Sequence, residues 1–402
     1  MPHRLSQFEF VALMAMMVST IAFSIDAMLP ALPEIGTELS PGFENRAQLI
    51  LTTFVLGMGL GTLVTGMLSD RYGRKPVLMI GAVVYVLASA VAWAAHSLEL
   101  MLAARLVQGL GAAGPRIVTL AIIRDLYAGR GMAKIMSFIM MVFTLVPALA
   151  PLMGAFLIAH SGWRAIFVAF VVFMGLACLW LALRLPETLP VEERRPMRLS
   201  ALKQALTELA MHPTVRLSIV VQTLCFGMLF SMLSSVQQIY DITFGRGAEF
   251  PFWFGIVAVL AGTGSLLNAA LVGRLGMRFL VTVTLAAQVG LSGAMVLLSM
   301  ADLPGNLGFA AFVIWQISVF FQAGMTLGNL NALAMEPMGH IAGTAASVIG
   351  AVSTVFSVAL AIPLGLMFDG TTLPLALGVC AMALASLVIM LHMRRVERGL
   401  PA

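Results

Sequence analysis

Apolar stretches of about twenty residues follow one another along almost the whole chain, the length an α-helix needs to cross the hydrocarbon core of a bilayer. Lipid offers the backbone no hydrogen-bond partners, so a chain of this kind must satisfy its peptide groups within helices. Reading the apolar runs against Gly, Pro and charge gives six spans near 8–29, 47–68, 76–95, 99–122, 134–158 and 165–185. Six more lie near 214–239, 251–272, 279–300, 307–332, 341–367 and 374–392. The expected fold class is an all-α membrane protein with twelve transmembrane helices in two six-helix, pseudo-symmetric halves. The expected domains are an N-terminal bundle over 1–185, a cytoplasmic linker over 186–213 and a C-terminal bundle over 214–402. The linker is the longest polar stretch, with Glu187, Glu192, Glu193, Arg194, Arg195, Arg198, Lys203 and Glu208.

Composition agrees: 60% of the 402 residues are hydrophobic and 10% are charged, where a soluble domain carries roughly a quarter charged. The net charge of +5 does not point to nucleic acid, because the basic residues form short clusters between apolar segments. With the N-terminus inside, 18 of the 23 Lys and Arg fall on the cytoplasmic side and only Arg46, Arg164 and Arg246 fall outside, so both termini are expected to be cytoplasmic. The first span contains Asp26, lacks a cleavage site of small residues and is followed by many similar segments, which reads as an uncleaved first helix. Cys178, Cys225 and Cys380 lie singly in apolar stretches, and no His/Cys/Asp/Glu cluster suits a metal. No Gly-rich phosphate loop is present, which excludes ATP-driven export by this chain alone.

The segment Gly66 to Pro76 is echoed by Gly273 to Arg278, with Gly73 and Gly276 lying 203 residues apart, half the chain. Parallel duplication of a six-helix unit, with a site between the halves, is a recurrent transporter plan.

The loop from Gly66 to Leu78 reads G-x-L-x-D-R-x-G-R-[KR]-x-x-L and resembles the loop between helices 2 and 3 of the major facilitator superfamily. Arg105 to Gly109 resembles that family's helix 4 motif, and Pro147, Pro151 and Gly154 its helix 5 antiporter motif. Asp26 to Pro33, Arg124 to Tyr127, Gly162 to Phe167 and Leu185 to Pro190 look like the drug:proton antiporter branch, bicyclomycin and chloramphenicol resistance type. Glu336-Pro337 and Gly343 to Ala345 carry the likeness into the second half. Helix 5 departs from the usual G-P-x-x-G-G, reading Ala150 to Ala155, and helix 4 carries Gly114-Pro115-Arg116 where small apolar residues are commoner.

Asp26, Arg105 and Arg116 are the ionisable residues placed well inside spans, where an unpartnered charge is costly. Asp26 and Arg105 sit at similar depth in the outer half and are expected to pair, with Asp26 exchanging a proton as its surroundings change. The competing reading makes Asp26 a structural ion-pair partner, or a cap before Pro30 and Pro33. Arg105 and Arg116 are eleven residues apart, within roughly 20° of one helix face, with Gln108 near the stripe. Two cations on one face favour neutral or acidic substrates over cations. Equally, Arg116 can snorkel to the interface or bond helix carbonyls released by Pro115.

The resemblance implies that Gly66, Asp70, Arg71, Gly73, Arg74 and Lys75 form an inner gating latch, with Asp70 facing the helix 11 N-terminus and Arg71 pairing with Asp125. The alternative is simple positive-inside anchoring. It likewise gives Pro147, Pro151 and Gly154 a kink and a close-packing face toward the other half. The 29 Met residues, such as Met140 and Met141, fit either a deformable cavity or lipid-facing filler, and Gln222, Gln316, Gln322 and Asn329 are open in the same way. With Asp26 aligned on Leu229 by the 203-residue offset, the second half is expected to supply apolar walls and motion.

The function expected is proton-coupled efflux of small amphiphilic drugs across the bacterial inner membrane. The carrier is a monomer surrounded by lipid, needing no cofactor, no metal and no nucleic acid, driven by the proton gradient. Export of an endogenous metabolite, such as an amino-acid derivative or organic acid, is the alternative. An intramembrane enzyme is a remote third, since only one acid lies deep in a span.

Overall fold

In the computed structural model, residues 5–194, 199–301 and 305–398 are described, and no strand occurs among them. The chain divides into two compact units, Met1–Leu199 and Ser200–Ala402.

The first unit opens with α1, Gln7–Asp26, whose start is capped by the Ser6 hydroxyl accepting the Glu9 N–H at 3.1 Å. It ends at Asp26 because Pro30 and Pro33 cannot donate to a continuing helix. A 3₁₀ turn, Leu29–Ala31, and the short α2, Leu32–Leu39, complete this first crossing. Then come α3 (Leu49–Tyr72), α4 (Arg74–Trp93), α5 (Leu98–Leu126), α6 (Gly129–Ser161) and α7 (Arg164–Arg184). Only Gly73 separates α3 from α4, at φ 102° and ψ 161°, a conformation that side-chain-bearing residues avoid.

The second unit holds α8 (Leu199–Met211), α9 (Pro213–Gln238), α10 (Phe250–Leu275), α11 (Met277–Met300), α12 (Gly305–Met335), α13 (Ala342–Leu366) and α14 (Leu373–Arg398). Gly276 separates α10 from α11 at φ 81° and ψ 152°, so the echo in sequence is an echo in backbone. A 3₁₀ turn, Glu336–Ile341, is all that separates α12 from α13, and the apolar run Gly305–Leu366 therefore spans 62 residues. Among the described residues it is one of eleven runs long and apolar enough to cross a membrane, and it contains two helices, which gives twelve crossings.

The stretch expected to be a linker is more ordered than a tether. The division between units falls inside it, Glu187 docks onto the first unit, and α8 buries Ala205 and Leu209. Glu208 on α8 pairs with His340 on the turn before α13 at 2.5 Å. Arg195 and Arg198 lie outside the described residues.

With no hydrophobic drive between helices in lipid, close backbone approach through small residues must hold them together. A Cβ on Gly57 would run into the Leu106 carbonyl oxygen, and one on Gly109 into that of Phe54, so α3 and α5 touch backbone to backbone. Gly81 of α4 sits against the Gly111 carbonyl, which Pro115 deprives of its helical donor. Leu183, Leu266 and Leu297 are among the large apolar side chains left exposed, the expected covering for lipid-facing helices.

Gly109→Ala should destabilise the purified protein by about 1–3 kcal/mol through overpacking at Phe54. Gly175→Ala, at a position where a Cβ meets nothing, should leave thermal unfolding in detergent unchanged.

Candidate functional site

Arg105 of α5 is completely buried, and its guanidinium is held by dipoles rather than by a carboxylate. Nε donates to the Ile50 carbonyl at 3.1 Å, Nη1 to the Gln108 amide oxygen at 2.6 Å and Nη2 to the Ser24 carbonyl at 3.0 Å. The Ser24 carbonyl is open because α1 is ending: the Met28 N–H bonds Ile25 instead. The Phe54 ring lies 4.4 Å from the guanidinium carbon, adding a cation–π contact. Gln108 passes the network on, its Nε2 donating to Ser89 Oγ at 2.7 Å, and Ser89 donates to the Tyr85 carbonyl at 2.7 Å. Tyr85 and Ser24 hydroxyls meet at 2.5 Å, and Ser24 Oγ donates to the Thr20 carbonyl at 2.6 Å, which leaves Tyr85 as the donor between the two hydroxyls. Four helices, α1, α3, α4 and α5, are thereby joined by one buried polar network.

Asp26, the last residue of α1, is 5% exposed, and among the described residues no hydrogen bond or ion pair reaches it. The expected Asp26–Arg105 pair is not formed. The two groups do share a level, since Arg105 bonds the carbonyl two residues before Asp26, but the three nitrogens of its planar fork are already committed. Arg116 is half-buried, with Nη1 lying 3.7 Å from the Met58 sulfur, a weak acceptor. Both arginines therefore face α3, as their spacing indicated, and Arg116 does not bond the carbonyls near Pro115.

At the other end of the unit, the Gly73 turn makes Arg74 the first residue of α4 and directs its side chain inward. Arg74 bonds Asp70 at 2.5 Å, Ser69 at 2.7 Å and Asp125, at the end of α5, at 2.9 Å. This corrects the expected pairing: Arg74, not Arg71, holds Asp125, and it also takes Asp70. Arg71 lies exposed over the Tyr72 ring at 5.1 Å, and Gly66 is half-buried on α3. Glu187 adds to this cluster by accepting the backbone N–H groups of Arg74, Lys75, Thr188 and Leu189 at 2.9–3.0 Å, with its charge at the positive end of α4. Lys75 reciprocates, its Nζ bonding the Ala182 and Leu185 carbonyls at the end of α7, each at 2.8 Å. The segment around Gly162 does comparable work at the opposite end: Trp163 and Arg164 both bind Glu38 of α2 at 2.7 Å.

The Major Facilitator Superfamily model matches residues 11–363. The chain belongs to this superfamily. Over 352 residues it is 31% identical to a bicyclomycin resistance protein homolog from Haemophilus influenzae, covering 86% of each chain. It is 30% identical to a chloramphenicol resistance protein from Pseudomonas aeruginosa, over 81% of this chain and 76% of the relative. The same fold recurs in the xylose transporter XylE from E. coli, in a partially occluded inward-open conformation, with a TM-score of 0.75 and 13% identity over 96% and 97% of the two chains. The human organic anion transporter MFSD10 (TETRAN) aligns with a TM-score of 0.69 and 16% identity, over 96% of this chain and all of the other. A superfamily member of this kind is a transporter and not an enzyme.

In this transporter the helix 5 motif lies next to the Asp26 end of α1. Gly154 of α6 lies against the Ala27 carbonyl, which a Cβ would overlap, so the face expected to pack toward the other half packs on the end of α1. Pro151 and Pro147 lie inside α6 one and two turns earlier, each removing a helical hydrogen bond. Of the methionines, Met14 and Met17 are core while Met140 and Met141 are exposed, so no single role covers them.

The second unit is not merely apolar. Gln222, Gln316, Gln322 and Asn329 are all buried, Asn329 bonding Asn268 at 2.6 Å and Gln316 accepting from Tyr240 at 2.9 Å. Ser24, Tyr85 and Ser89 join the site without belonging to any motif, although Tyr85 and Ser89 are polar residues at i and i+4 in an otherwise apolar span.

Arg105→Lys keeps the charge but cannot reach three separated acceptors, and should lower stability by about 2–4 kcal/mol in thermal unfolding. Glu187→Ala, which strips four backbone N–H groups of their acceptor, should cost about 1–2 kcal/mol in the same assay.

Proposed function

We propose that this transporter exports small amphiphilic drugs in exchange for protons, by alternating access across the bacterial inner membrane, working as a monomer with both termini cytoplasmic and no cofactor beyond the proton gradient. The observation that carries the reading is Asp26: a carboxyl group nine-tenths buried, at the break between α1 and α2, without a hydrogen-bond or ion-pair partner among the described residues. A buried carboxylate with no partner is costly, and protonation removes that cost, so the group takes a proton when enclosed and gives it up when water reaches it. Its surroundings favour such a cycle. The neighbouring Ala27 carbonyl rests on Gly154 of a helix interrupted by Pro147 and Pro151, so a bend in α6 is felt at Asp26 directly. The relatives named for bicyclomycin and chloramphenicol resistance support drugs as cargo.

Arg116, whose guanidinium meets only the Met58 sulfur among the described residues, favours neutral or acidic cargo over cations, and for the same reason keeps export of an endogenous organic acid as a second reading. Susceptibility and efflux profiling in a pump-deficient host separates the two.

Asp26→Asn should abolish export against a gradient while leaving expression and thermal unfolding near wild type. Protection that survives both this substitution and collapse of the proton gradient would sink the coupling claim, and a panel in which only cations are exported would contradict the role given to Arg116.

A further inference from the structure

Helix α9 is unusually polar over its final eight residues, which include Ser231, Ser234, Ser235, Gln237 and Gln238. Serine and threonine in a membrane helix ordinarily hide the hydroxyl by bonding the carbonyl four residues back, as Ser234 does to Phe230 at 2.7 Å and Thr223 does to Ile219 at 2.8 Å. Ser231 and Ser235 do not: each is at most 2% exposed, and each hydroxyl oxygen is buried without a partner. The side-chain oxygens of Gln237 and Gln238 are buried and unpartnered too, at 4% and 8% exposure. Ser231, Ser235 and Gln238 follow the i, i+4, i+7 spacing that puts them on one helix face. Immediately beyond, the helix widens into a π-helical turn, Ile239–Thr243, a distortion found often at functional sites. Within that turn Tyr240 bonds the Gln316 amide oxygen of α12, leaving the Gln316 Nε2 buried with no acceptor.

We infer that Ser231, Ser235, Gln237, Gln238 and Gln316 form a binding subsite in the second unit for an uncharged ligand group carrying both hydrogen-bond donors and acceptors, an amide or a hydroxyl. Leaving one such atom unsatisfied is costly, and four in so short a segment, with the Gln316 Nε2 of α12 as a fifth, mark polar groups held in reserve for a partner. Side-chain amides present either N–H or C=O to that partner, so the subsite accepts donors and acceptors alike. No Asp, Glu, Lys or Arg lies between Arg216 and Asp241 on this stretch of chain, so the selection there is by hydrogen bonding and not by charge.

The inference deepens the export reading and names the part of the cargo that this unit holds. Its test is equilibrium binding to the purified full chain in detergent, which needs no proton gradient and so separates its failure from that of proton coupling. The probes are chloramphenicol, uncharged with one amide and two hydroxyls, and tetraphenylphosphonium, an apolar cation with neither. Saturable chloramphenicol binding should weaken roughly tenfold in Gln238→Leu and in Ser235→Ala, and recover in part in Gln238→Asn, with tetraphenylphosphonium binding unchanged. If Gln238→Leu unfolds, Ser231→Ala and Ser235→Ala, each removing a single oxygen, decide the matter. Absence of saturable chloramphenicol binding to the wild-type chain, or equal affinity in wild type and variants as for a site that holds water alone, overturns the inference.

Discussion

A guanidinium with no counter-ion, sealed in the interior of a membrane helix bundle, is the constraint on which the first unit depends. Arg105 is tolerable there only because three helices bring acceptors to it: the open carbonyl of Ser24 at the end of α1, the Ile50 carbonyl of α3 and its own Gln108. The position of each is fixed by something else in the sequence. The prolines at 30 and 33 end α1 where the Ser24 carbonyl comes free, and Gly57 and Gly109 let α3 and α5 approach closely enough for Nε to reach backbone. Moving any of these leaves a desolvated cation short of a partner.

The same network gives Asp26 its character by exclusion. Because Arg105 is satisfied by dipoles, it does not neutralise the carboxyl group two residues from its own acceptor, and Asp26 remains a buried acid with no ion-pair partner among the described residues, as the proposed proton exchange requires. An ion pair at this place would make a rigid structural element. An arginine clamped beside an unpaired acid makes an electrostatic setting that a small displacement of α1 can alter, and Gly154 is where α6 can impose that displacement.

Much of the fold was legible because lipid leaves few alternatives. Twelve apolar runs, the Gly73 and Gly276 turns and the burial of Asp26 and Arg105 all follow from length, composition and spacing. Partner choice was not legible. The Asp70 to Lys75 loop offers Asp125 three basic residues in sequence, and the backbone at Gly73 decides that Arg74 turns inward to it while Arg71 stays on Tyr72. The pairing of Asp26 with Arg105 failed for a related reason: matching depth says two groups can meet, whereas the count of competing carbonyls decides whether they do. Glu187 was read as linker because the two N–H groups that dock it on the bundle lie more than a hundred residues away, at the start of α4.

The two halves share a backbone plan but solve the problem of buried polarity differently. The first unit buries two full charges at one level, Arg105 held by carbonyls and the Gln108 amide and Asp26 left out of the pairing. The second uses amides and hydroxyls, of which Asn329 and Ser234 are satisfied internally and Ser231, Ser235 and Gln238 are not. A full charge in hydrocarbon must be partnered or neutralised, so it suits a group whose state is to be switched; an unpaired amide is costly by a smaller amount and can wait, wetted by water, for a ligand. The proposed division, with coupling in the first unit and recognition of uncharged cargo in the second, agrees with the cost of each kind of buried group. It also explains how a duplicated body can keep the Gly73 and Gly276 turns in common while the aligned positions Asp26 and Leu229 have diverged completely in chemistry.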